Sequence, residues 1–269
     1  MSIENHLSDK AFLSFKTFMY DHVGIDFSPE KKTLIASRLN KRLRHHGLTS
    51  FDDYFQLMKN SPADGEMQVA IDLLTTNETY FFREIKHFDF MRNTLLPSWR
   101  EDRPFRVWSA ASSSGEEAYS IAMLLADVLG RRAWEIIGSD ISRRVIKKAQ
   151  QGHYIMNRID GIPKPYLQKY CLKGIEEYDG TLLIEKSLRQ RVNFFQANLK
   201  QTLPNVGLFD VIFLRNVLIY FDLPTKQLIV KQLLEKLVPG GYFFIGHSET
   251  LKGINDTVKT VLPTMFQRK

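Results

Sequence analysis

Apolar side chains recur at helical spacing through the first eighty residues, where no alternating strand pattern appears. The positions that define the predicted helices are Phe12, Phe15 and Phe18 in the first, Leu34, Ile35, Leu39 and Leu43 in the second, residues 50–53 at the start of a third, and Met67, Ala70, Leu73 and Leu74 in a fourth. Ser28 and Pro29 are residue types that begin helices, and Gly47 is the type that ends one. Residues 1–76 are therefore predicted to form a small all-helical domain, followed by a linker and connecting helix over residues 77–104.

From Phe105 onward, short β-rich runs alternate with helical segments, the pattern of a parallel sheet flanked by helices. The predicted strands are 105–108, 136–140, 192–195, 209–214 and 242–245, with a terminal hairpin of 258–261 and 264–267, and a helix over 223–237 is predicted to stop at Pro239-Gly240-Gly241. Residues 153–191 lack clean alternation and exceed an ordinary connection, so they are predicted to form a small inserted subdomain with a strand at 181–184. The predicted fold is α/β, with a Rossmann-like sheet over residues 105–269.

The most informative segment is 105–123, FRVWSAASSSGEEAYSIAM, in which a predicted strand breaks into small residues and then enters a helix. Such a turn lets backbone N–H groups approach a ligand at the crevice where open α/β sheets bind cofactors. Asp140, at the end of the next predicted strand, has the position that accepts ribose hydroxyls in nucleotide-binding folds. The pairing predicts a nucleoside-containing cofactor. The alternative is a purely structural strand, loop and helix with capping acids.

The composition of this loop narrows the choice of cofactor. Gly115 is the single glycine in the stretch that begins at Ala111, so the G-x-G-x-x-G pattern of dinucleotide sites is missing. Glu116 and Glu117 stand where they would repel a phosphate. S-adenosylmethionine (SAM) fits such a site, because it carries an adenosine, a positively charged sulfonium and an amino acid group, and has no phosphate.

Composition and charge set outer limits on the function. The chain has 43% hydrophobic and 25% charged residues, which is ordinary for a globular protein. A net charge of +7 and a pI near 9.3 favour an acidic partner. Three kinds of partner fit: nucleic acid, an anionic membrane surface and an acidic protein. Cys171 is the only cysteine, which excludes an internal disulfide. No secretion signal and no membrane-spanning segment are predicted, so a cytoplasmic location without membrane insertion is expected.

Four cations lie within two turns of the second predicted helix: Arg38, Lys41, Arg42 and Arg44. They form either an ordinary solvated face or a docking surface for an acidic helix or nucleic acid phosphates. Aromatic side chains that would stack on bases are not interleaved with them, which disfavours single-stranded nucleic acid.

Residues 75–84, TTNETYFFRE, form an unusual linker in which polar side chains are set among three consecutive aromatic residues. The aromatic residues are expected to anchor the segment against the second domain, so that Asn77, Thr79 and Arg83 face a crevice. The alternative is a plain connector with a capped helix that begins near Glu84.

Five motifs in fixed order, TTNETYFFRE, WSAASSSGEEAYSIAM, GSDIS, LRNVLIYF and GHSE, together resemble the CheR family, the chemotaxis receptor glutamate O-methyltransferases. The resemblance extends from about Ala11 to the carboxyl terminus. The chain departs from the family pattern at Ala118, where proline is usual, and at Leu214, where cysteine is usual. Neither departure removes a polar group, so activity is expected to survive both.

The resemblance implies a SAM site assembled from distant parts of the chain. The implied cofactor residues are Asn77, Thr79 and Arg83 from the linker, Glu117 for the methionine amino group, Asp140 for the ribose hydroxyls, and Asn198 with Leu199 and Asn216 with Val217 around the adenine and the pocket floor. Arg83 is also expected to orient the substrate carboxylate, and Tyr220 to border the transferred methyl group.

The same resemblance implies the substrate. It is expected to be glutamate side chains in the cytoplasmic domain of a chemoreceptor, with S-adenosylhomocysteine as the second product. The basic second helix would dock on the acidic methylation helices of that receptor. The insert is where some family members hold a receptor's C-terminal tail peptide, and whether this chain does so is left open.

Methyl transfer to glutamate requires little catalytic machinery, because a carboxylate with a reference pKa near 4.3 is already ionised at neutral pH. A general base is therefore not expected, and His247 is interpreted as a residue that orients a loop. His45, His46 and His87 show no metal-ligand spacing with cysteine or acid, so no metal site is predicted.

Three other classes of protein stay open at this point. A nucleic acid methyltransferase would share the fold and the charge, but it would need an acid or base for ring nitrogens or a nucleophilic cysteine, and Cys171 lies in the insert. A receptor-binding adaptor without the cofactor is disfavoured by Glu117 and Asp140. An NAD dehydrogenase is disfavoured by the missing glycine pattern.

Overall fold

The computed structural model describes residues 6–62 and 65–269, and its first four helices form the predicted all-helical domain. They are α1 (Asp9–Val23), α2 (Lys32–His45), α3 (Phe51–Lys59) and α4 (Glu66–Leu74). Their inner faces bury Phe15, Leu39, Tyr54 and Met58 completely, which confirms the helical periodicity read from the sequence. The first five residues, which contribute to the expectation that no secretion signal is present, lie outside the described ranges.

The predicted boundaries of the helices in the first domain are confirmed in position, although Ser28 makes no side-chain cap bond. The Ser8 and Ser50 hydroxyls accept backbone N–H groups at the starts of α1 and α3, and Gly47 follows α2 in the left-handed region with φ of 66°. The Ser28 hydroxyl instead donates to Glu30 at 2.7 Å, and Pro29 begins a 3-10 turn (Pro29–Lys31) that precedes α2. Ser28 is thus the N-cap residue with proline at the first helical position, as predicted, but its side chain bonds a carboxylate and not a backbone N–H.

A seven-stranded sheet forms the centre of the second domain. Its strands are β1 (Phe105–Ala110), β2 (Trp134–Asp140), β6 (Val192–Gln196), β7 (Phe209–Leu214), β8 (Leu237–Ile245), β9 (Val258–Leu262) and β10 (Met265–Arg268), in the spatial order β6-β2-β1-β7-β8-β10-β9. The first five strands in this order pair in parallel, and β10 and β9 add the antiparallel hairpin predicted from the sequence. Helices α7 (Glu116–Leu129), α8 (Arg143–Gln151) and α11 (Leu223–Leu234) connect the parallel strands. The predicted fold class is confirmed.

One predicted stop signal is wrong. Pro239-Gly240-Gly241 lies inside β8, and the preceding helix α11 already ends at Leu234. The pairing of β8 with β7 shifts between Phe209 and Val211, so an irregularity in the ladder accommodates the proline and the glycine with φ of 76°. A proline is tolerated where the ladder does not require its missing N–H.

The insert is a second, three-stranded antiparallel sheet of β3 (His153–Ile155), β4 (Cys171–Lys173) and β5 (Thr181–Ile184), in the order β3-β5-β4. The predicted strand at 181–184 is confirmed as its centre. Helices α9 (Lys164–Tyr170) and α10 (Lys186–Arg189) complete the insert. It packs on the linker aromatics, with Phe81 against Tyr154 and Phe82 against Tyr166 at ring distances of 4.9 and 5.5 Å.

The linker continues into a helix of three parts: α5 (Lys86–Phe90), a π-helical segment (Met91–Leu95) and α6 (Leu96–Ser98). This is the connecting helix expected near Glu84. Within the described ranges, no helix combines the length and the apolar character needed to cross a membrane.

Direct contacts join the helical domain to the sheet domain. The Asp72 carboxylate of α4 accepts the first two backbone N–H groups of α8, from Arg143 at 3.0 Å and Arg144 at 3.2 Å. An isolated β-bridge pairs Ile25 with Phe221. One apolar core includes residues of both domains, so the helical domain is held against the edge of the sheet where its strands end.

Candidate functional site

A cleft lies at the carboxyl ends of four parallel strands, β1, β2, β6 and β7, and is closed on one side by the linker and the helical domain. The structure brings all nine predicted cofactor residues and Tyr220 into its lining: Asn77, Thr79, Arg83, Glu117, Asp140, Asn198, Leu199, Asn216, Val217 and Tyr220. These residues come from stretches that are far apart in the sequence. The edge formed by the carboxyl ends of parallel strands is where open α/β sheets bind ligands.

The loop after β1 brings its backbone close to the cleft through an unusual conformation. Ala111, Ser113 and Gly115 all have positive φ, at 65°, 50° and 95°. A Cβ on Gly115 would lie 2.9 Å from the Cβ of Ala149, so the loop packs tightly on α8. Non-glycine residues with positive φ store strain and cluster at functional sites. Nearby packing holds the loop, since the Tyr154 hydroxyl donates to the Ser114 carbonyl at 2.8 Å.

Asp140 ends β2 with a buried carboxylate that two backbone groups hold in place. Its Oδ2 accepts the Ser113 N–H at 2.9 Å and its Oδ1 accepts the Ser142 N–H at 2.9 Å. Burial nevertheless raises the pKa of Asp140 to about 6, since these hydrogen bonds only partly offset the desolvation of the charge. Each carboxylate oxygen keeps a further lone pair for a donor in the cleft.

Glu117 forms the inner wall of the cleft and belongs to a buried ionic network. Its Oε1 accepts the Ser109 hydroxyl at 2.7 Å, and its Oε2 accepts Arg215 at 3.0 Å. Burial raises the pKa of Glu117, while Arg215 acts to lower it. On its other side Arg215 bonds Glu84 at 3.0 Å. The sequence interpretation missed Arg215 and Glu84, although each directly adjoins a residue that was named.

The Arg83 side chain lines the cleft and is only partly held. Its guanidinium donates to the Glu78 carbonyl at 3.1 Å and lies 5.4 Å from the centre of the Tyr80 ring. Its neighbours Phe82 and Glu84 have positive φ, at 53° and 58°. Tyr220 lies on the opposite strand end, where its backbone carbonyl accepts the Asp26 N–H at 3.1 Å. The two residues named for catalysis thus line the same cleft.

The two asparagines named for the adenine pocket make protein contacts with their side chains. The Asn198 amide donates to the His22 carbonyl at 2.6 Å, and its oxygen accepts the Lys200 N–H at 3.0 Å. The Asn216 amide donates to Glu84 at 3.2 Å. Both residues line the cleft, where Leu199 and Val217 add apolar surface.

Glu249, from the GHSE motif, organises the floor of the site and was not named as a site residue. Its carboxylate accepts three backbone N–H groups, from Asn216 at 3.0 Å, Leu218 at 2.7 Å and Gly246 at 2.6 Å. A single side chain thereby fixes the loops that follow β7 and β8. A glutamate just after a strand was the available sequence signal.

Three residues that the sequence spacing did not connect meet behind the cleft. Ligand atoms of Glu84, His87 and His247 lie within 4.8 Å of one another. The position facing Glu84 is already held by the Arg215 guanidinium at 3.0 Å, so a metal ion there would meet a fixed positive charge. Burial and Arg215 lower the pKa of His87 to about 3, which keeps that ring neutral. The His247 backbone N–H donates to Glu84 at 3.0 Å, in keeping with a role in loop orientation.

The four cations of α2 fall into two groups. The Arg38 guanidinium donates to the Leu74 and Thr75 carbonyls at 3.0 and 3.1 Å, and Arg42 forms a two-pronged pair with Glu66, both contacts at 2.7 Å. Lys41 and Arg44 are exposed. Half of the predicted docking surface therefore also holds the helical domain together, a role that the sequence did not reveal because Glu66 lies on a different helix.

Comparisons with known proteins cover nearly the whole chain. Residues 10–75 match the family model described as CheR methyltransferase, all-alpha domain, and residues 77–266 match the model described as CheR methyltransferase, SAM binding domain. The chemotaxis protein methyltransferase of Escherichia coli K12 is 40% identical over 90% of this chain and 85% of its own length. Chemotaxis protein methyltransferase 2 of Pseudomonas aeruginosa is 38% identical over 98% and 94%. A chemotaxis protein methyltransferase of Borreliella burgdorferi is 36% identical over 93% and 91%.

Proposed function

This chain belongs to the CheR methyltransferase family, and we propose that it methylates glutamate side chains in the cytoplasmic domain of chemoreceptors. It is a SAM-dependent methyltransferase of chemotaxis, and its second product is S-adenosylhomocysteine. The observation that carries the proposal is the single cleft in which the linker, the β1 loop and three further strand ends meet.

The residues in the cleft fit the chemical groups of SAM. Glu117 is a buried carboxylate suited to the ammonium group, and Asp140 is a buried acceptor suited to the ribose hydroxyls. Leu199 and Val217 provide apolar surface for the adenine. The negative charge of the cleft suits a cofactor whose sulfonium and ammonium are both positive, and it would repel the pyrophosphate of a dinucleotide.

The chemistry is a displacement in line with the sulfonium. A substrate carboxylate oxygen forms a bond to the methyl carbon, the carbon–sulfur bond breaks, and its electron pair stays on sulfur, so no proton has to move. The chain's contribution is to desolvate and orient the carboxylate, which can supply roughly 7–11 kcal/mol of the barrier. Arg83 binds the incoming carboxylate and Tyr220 borders the methyl group; both line the cleft.

The exposed cations of α2 are proposed to dock the receptor. Lys41 and Arg44 face solvent, and a glutamate-rich helix offers the complementary charge. Arg38 joins this surface to the start of the linker, because its guanidinium donates to the carbonyls of Leu74 and Thr75. Docking on α2 would therefore place the substrate beside the segment that carries Asn77 and Thr79.

A receptor tail peptide at the insert is the finer part of the proposal. Strand β4 lies at an edge of the small sheet, where an extended peptide can add as another strand. Leu172 on this strand is 52% exposed and Ile175 just beyond it is 71% exposed, which offers apolar contacts to such a peptide.

We place the methylation reaction in the cytoplasm, where the receptor domain lies.

The reaction is tested by incubating the protein with methyl-labelled SAM and receptor-rich membranes. The label should appear in the receptor and should be released as methanol by mild alkali, because methyl esters hydrolyse whereas N-methyl and C-methyl groups do not. Label in the receptor that resists alkali would refute carboxylate methylation. Label in added RNA or DNA, with none in the receptor, would favour a nucleic acid methyltransferase.

A further inference from the structure

Arg215 connects the two parts of the cleft that are proposed to handle the cofactor and the substrate. Its side chain is only 2% exposed, and it donates to Glu117 at 3.0 Å and to Glu84 at 3.0 and 3.3 Å. It also donates to the backbone carbonyl of Arg83. One guanidinium thus contacts the proposed ammonium-binding carboxylate and the backbone of the proposed catalytic arginine.

The charge balance around Glu117 depends on this arginine. Two carboxylates, from Glu84 and Glu117, share the buried Arg215 guanidinium. Burial and the negative charge of Glu84 both raise the pKa of Glu117, while Arg215 and the Ser109 hydroxyl lower it. A buried carboxylate that loses its cation takes up a proton, because the uncharged form is less costly to desolvate. A protonated Glu117 would no longer attract a positively charged ammonium group.

The other charged and titratable groups around Arg215 do not replace it. His87 and His247 lie behind Glu84. Burial and the nearby Arg215 lower the pKa of His87 to about 3, so its ring is uncharged. Arg83 lines the cleft, but its guanidinium points to the Glu78 carbonyl. Among the described residues, Arg215 is therefore the cation in contact with Glu117.

The geometry of the linker also depends on this arginine. Phe82 and Glu84 adopt left-handed backbone conformations on either side of Arg83, and such positions persist only where their surroundings hold them. The Arg215 guanidinium bonds both the Arg83 carbonyl and the Glu84 carboxylate, so it fixes this strained turn at two points. The planar guanidinium does this while it also bonds Glu117, because its N–H groups point in fixed, divergent directions that a compact ammonium does not reproduce.

We propose that Arg215 is a positioning residue that holds Glu117 as an anion facing the cofactor's ammonium group and ties the Arg83 segment to it. This inference rests on the proposed function, because it takes the cofactor position of Glu117 from there. It adds a residue outside the predicted set and links cofactor binding to substrate orientation through one buried side chain.

The charge part of the proposal is tested with Arg215→Met by calorimetry of SAM binding between pH 6 and pH 7.5, below the titration of the cofactor's own amino group. At pH 6 the variant should bind SAM at least about tenfold more weakly than the wild type. This difference in affinity should become smaller as pH rises, because Glu117 in the variant then loses its proton. Taking the ratio to the wild type removes any contribution from Asp140.

Two control variants separate this effect from general damage. Arg103→Met removes a more exposed ion pair, with Asp210, at a distance from the cleft. The ratio of its SAM affinity to that of the wild type should not vary with pH. In a Glu117→Gln background, adding Arg215→Met should produce no pH-dependent loss, since no carboxylate remains to protonate. A ratio for Arg215→Met that is constant across the pH range would overturn the charge role.

Arg215→Lys tests the second part and serves if the methionine variant does not fold. It keeps a cation beside Glu117, so SAM affinity should stay within about threefold of the wild type, whereas turnover should fall at least about tenfold because Arg83 is no longer held. Full turnover in Arg215→Lys would refute the link to Arg83. If the wild type itself bound no SAM, the proposed function would fail rather than this inference.

Discussion

At the scale of single residues, Asp140 shows how a buried carboxylate is prepared for a ligand. Two backbone N–H groups, from Ser113 and Ser142, hold its oxygens at 2.9 Å and leave lone pairs toward the cleft. Asp140→Ala should weaken SAM binding by at least roughly tenfold, since hydrogen bonds to a charged group contribute about 1.5–3 kcal/mol. Calorimetry with a folded variant checks this, with exposed Asp179→Ala as the control. Unchanged affinity would remove Asp140 from the site.

The raised pKa of Asp140, about 6, predicts a pH dependence of its own. Ribose hydroxyls stabilise the ionised form, so SAM binding should release a proton near pH 6 and weaken by about tenfold between pH 7 and pH 5. The folded protein without cofactor responds to pH in the opposite direction. Its Asp140 pKa lies above the unfolded value, so the free energy of unfolding rises as pH falls through 6. Asp140→Asn should abolish much of the binding effect; a variant that keeps all of it would assign the effect to Glu117.

Arg83 offers a separate test of how the substrate carboxylate is oriented. Its guanidinium has one hydrogen bond to the protein, to the Glu78 carbonyl, and otherwise faces the cleft. Arg83→Ala should reduce turnover at least about a hundredfold while the thermal midpoint changes little, because the contacts it loses are at an exposed site. Arg83→Lys should rescue poorly, since a planar two-pronged donor differs from a point charge. A fully active lysine variant would leave Arg83 as a structural residue.

Sequence reasoning named residues whose roles depend on local pattern and missed those whose roles depend on topology. Asp140 ends a strand, so the strand–loop–helix pattern was enough to select it. The same pattern pointed to Glu116 and Glu117 together, and the choice of Glu117 came from the family resemblance. Glu84 and Arg215 are 131 positions apart, and they meet only because the linker turn packs against the end of β7. Their network had no signal beyond their position next to named residues.

At the scale of secondary structure elements, the junction of α4 with α8 fixes the helical domain on the sheet. Asp72 accepts the first N–H groups of α8 and is itself held by the Gln68 amide at 2.8 Å. Asp72→Ala should lower the free energy of unfolding by about 1.5–3 kcal/mol, because buried donors lose a charged acceptor. Denaturant unfolding measures this, and exposed Asp256→Ala should change it by less than about 0.5 kcal/mol. Equal losses in both variants would contradict a specific role for the junction.

Elements with strong periodicity were predicted well, and errors arose where another contact, in the sheet or between near neighbours, overrides the signal of a single residue type. The helices of the first domain and the parallel strands follow directly from their apolar spacing. Pro239 and Gly240 carry a stop signal, yet the ladder irregularity between β7 and β8 absorbs them within a strand. Ser28 has the composition of a cap, but its hydroxyl is bonded to Glu30.

At the scale of the whole molecule, the net charge of +7 can attract an acidic partner only through cations that are exposed and not paired within the protein. Arg42 is paired with Glu66, an arrangement that Tyr54 supports with a further bond of 2.7 Å to the same carboxylate. Reversing Arg38 or Arg42 would therefore also disturb the helical domain and the start of the linker. Lys41 and Arg44 are exposed and offer a cleaner test of docking.

The double variant Lys41→Glu with Arg44→Glu should raise the apparent KM for the receptor by about three- to tenfold and leave SAM affinity unchanged, because complementary charge mainly sets association rate and register. Methylation by the wild type should fall as salt rises, since the Debye length is about 10 Å at 0.1 M. Lys231→Glu with Lys252→Glu makes the same change in net charge on exposed residues of α11 and a distant loop and should leave KM as it was. If both double variants raise KM equally, only the overall charge of the protein matters. If neither raises KM at low salt, α2 is a solvated face and the receptor is recognised elsewhere, with the insert as the next surface to test.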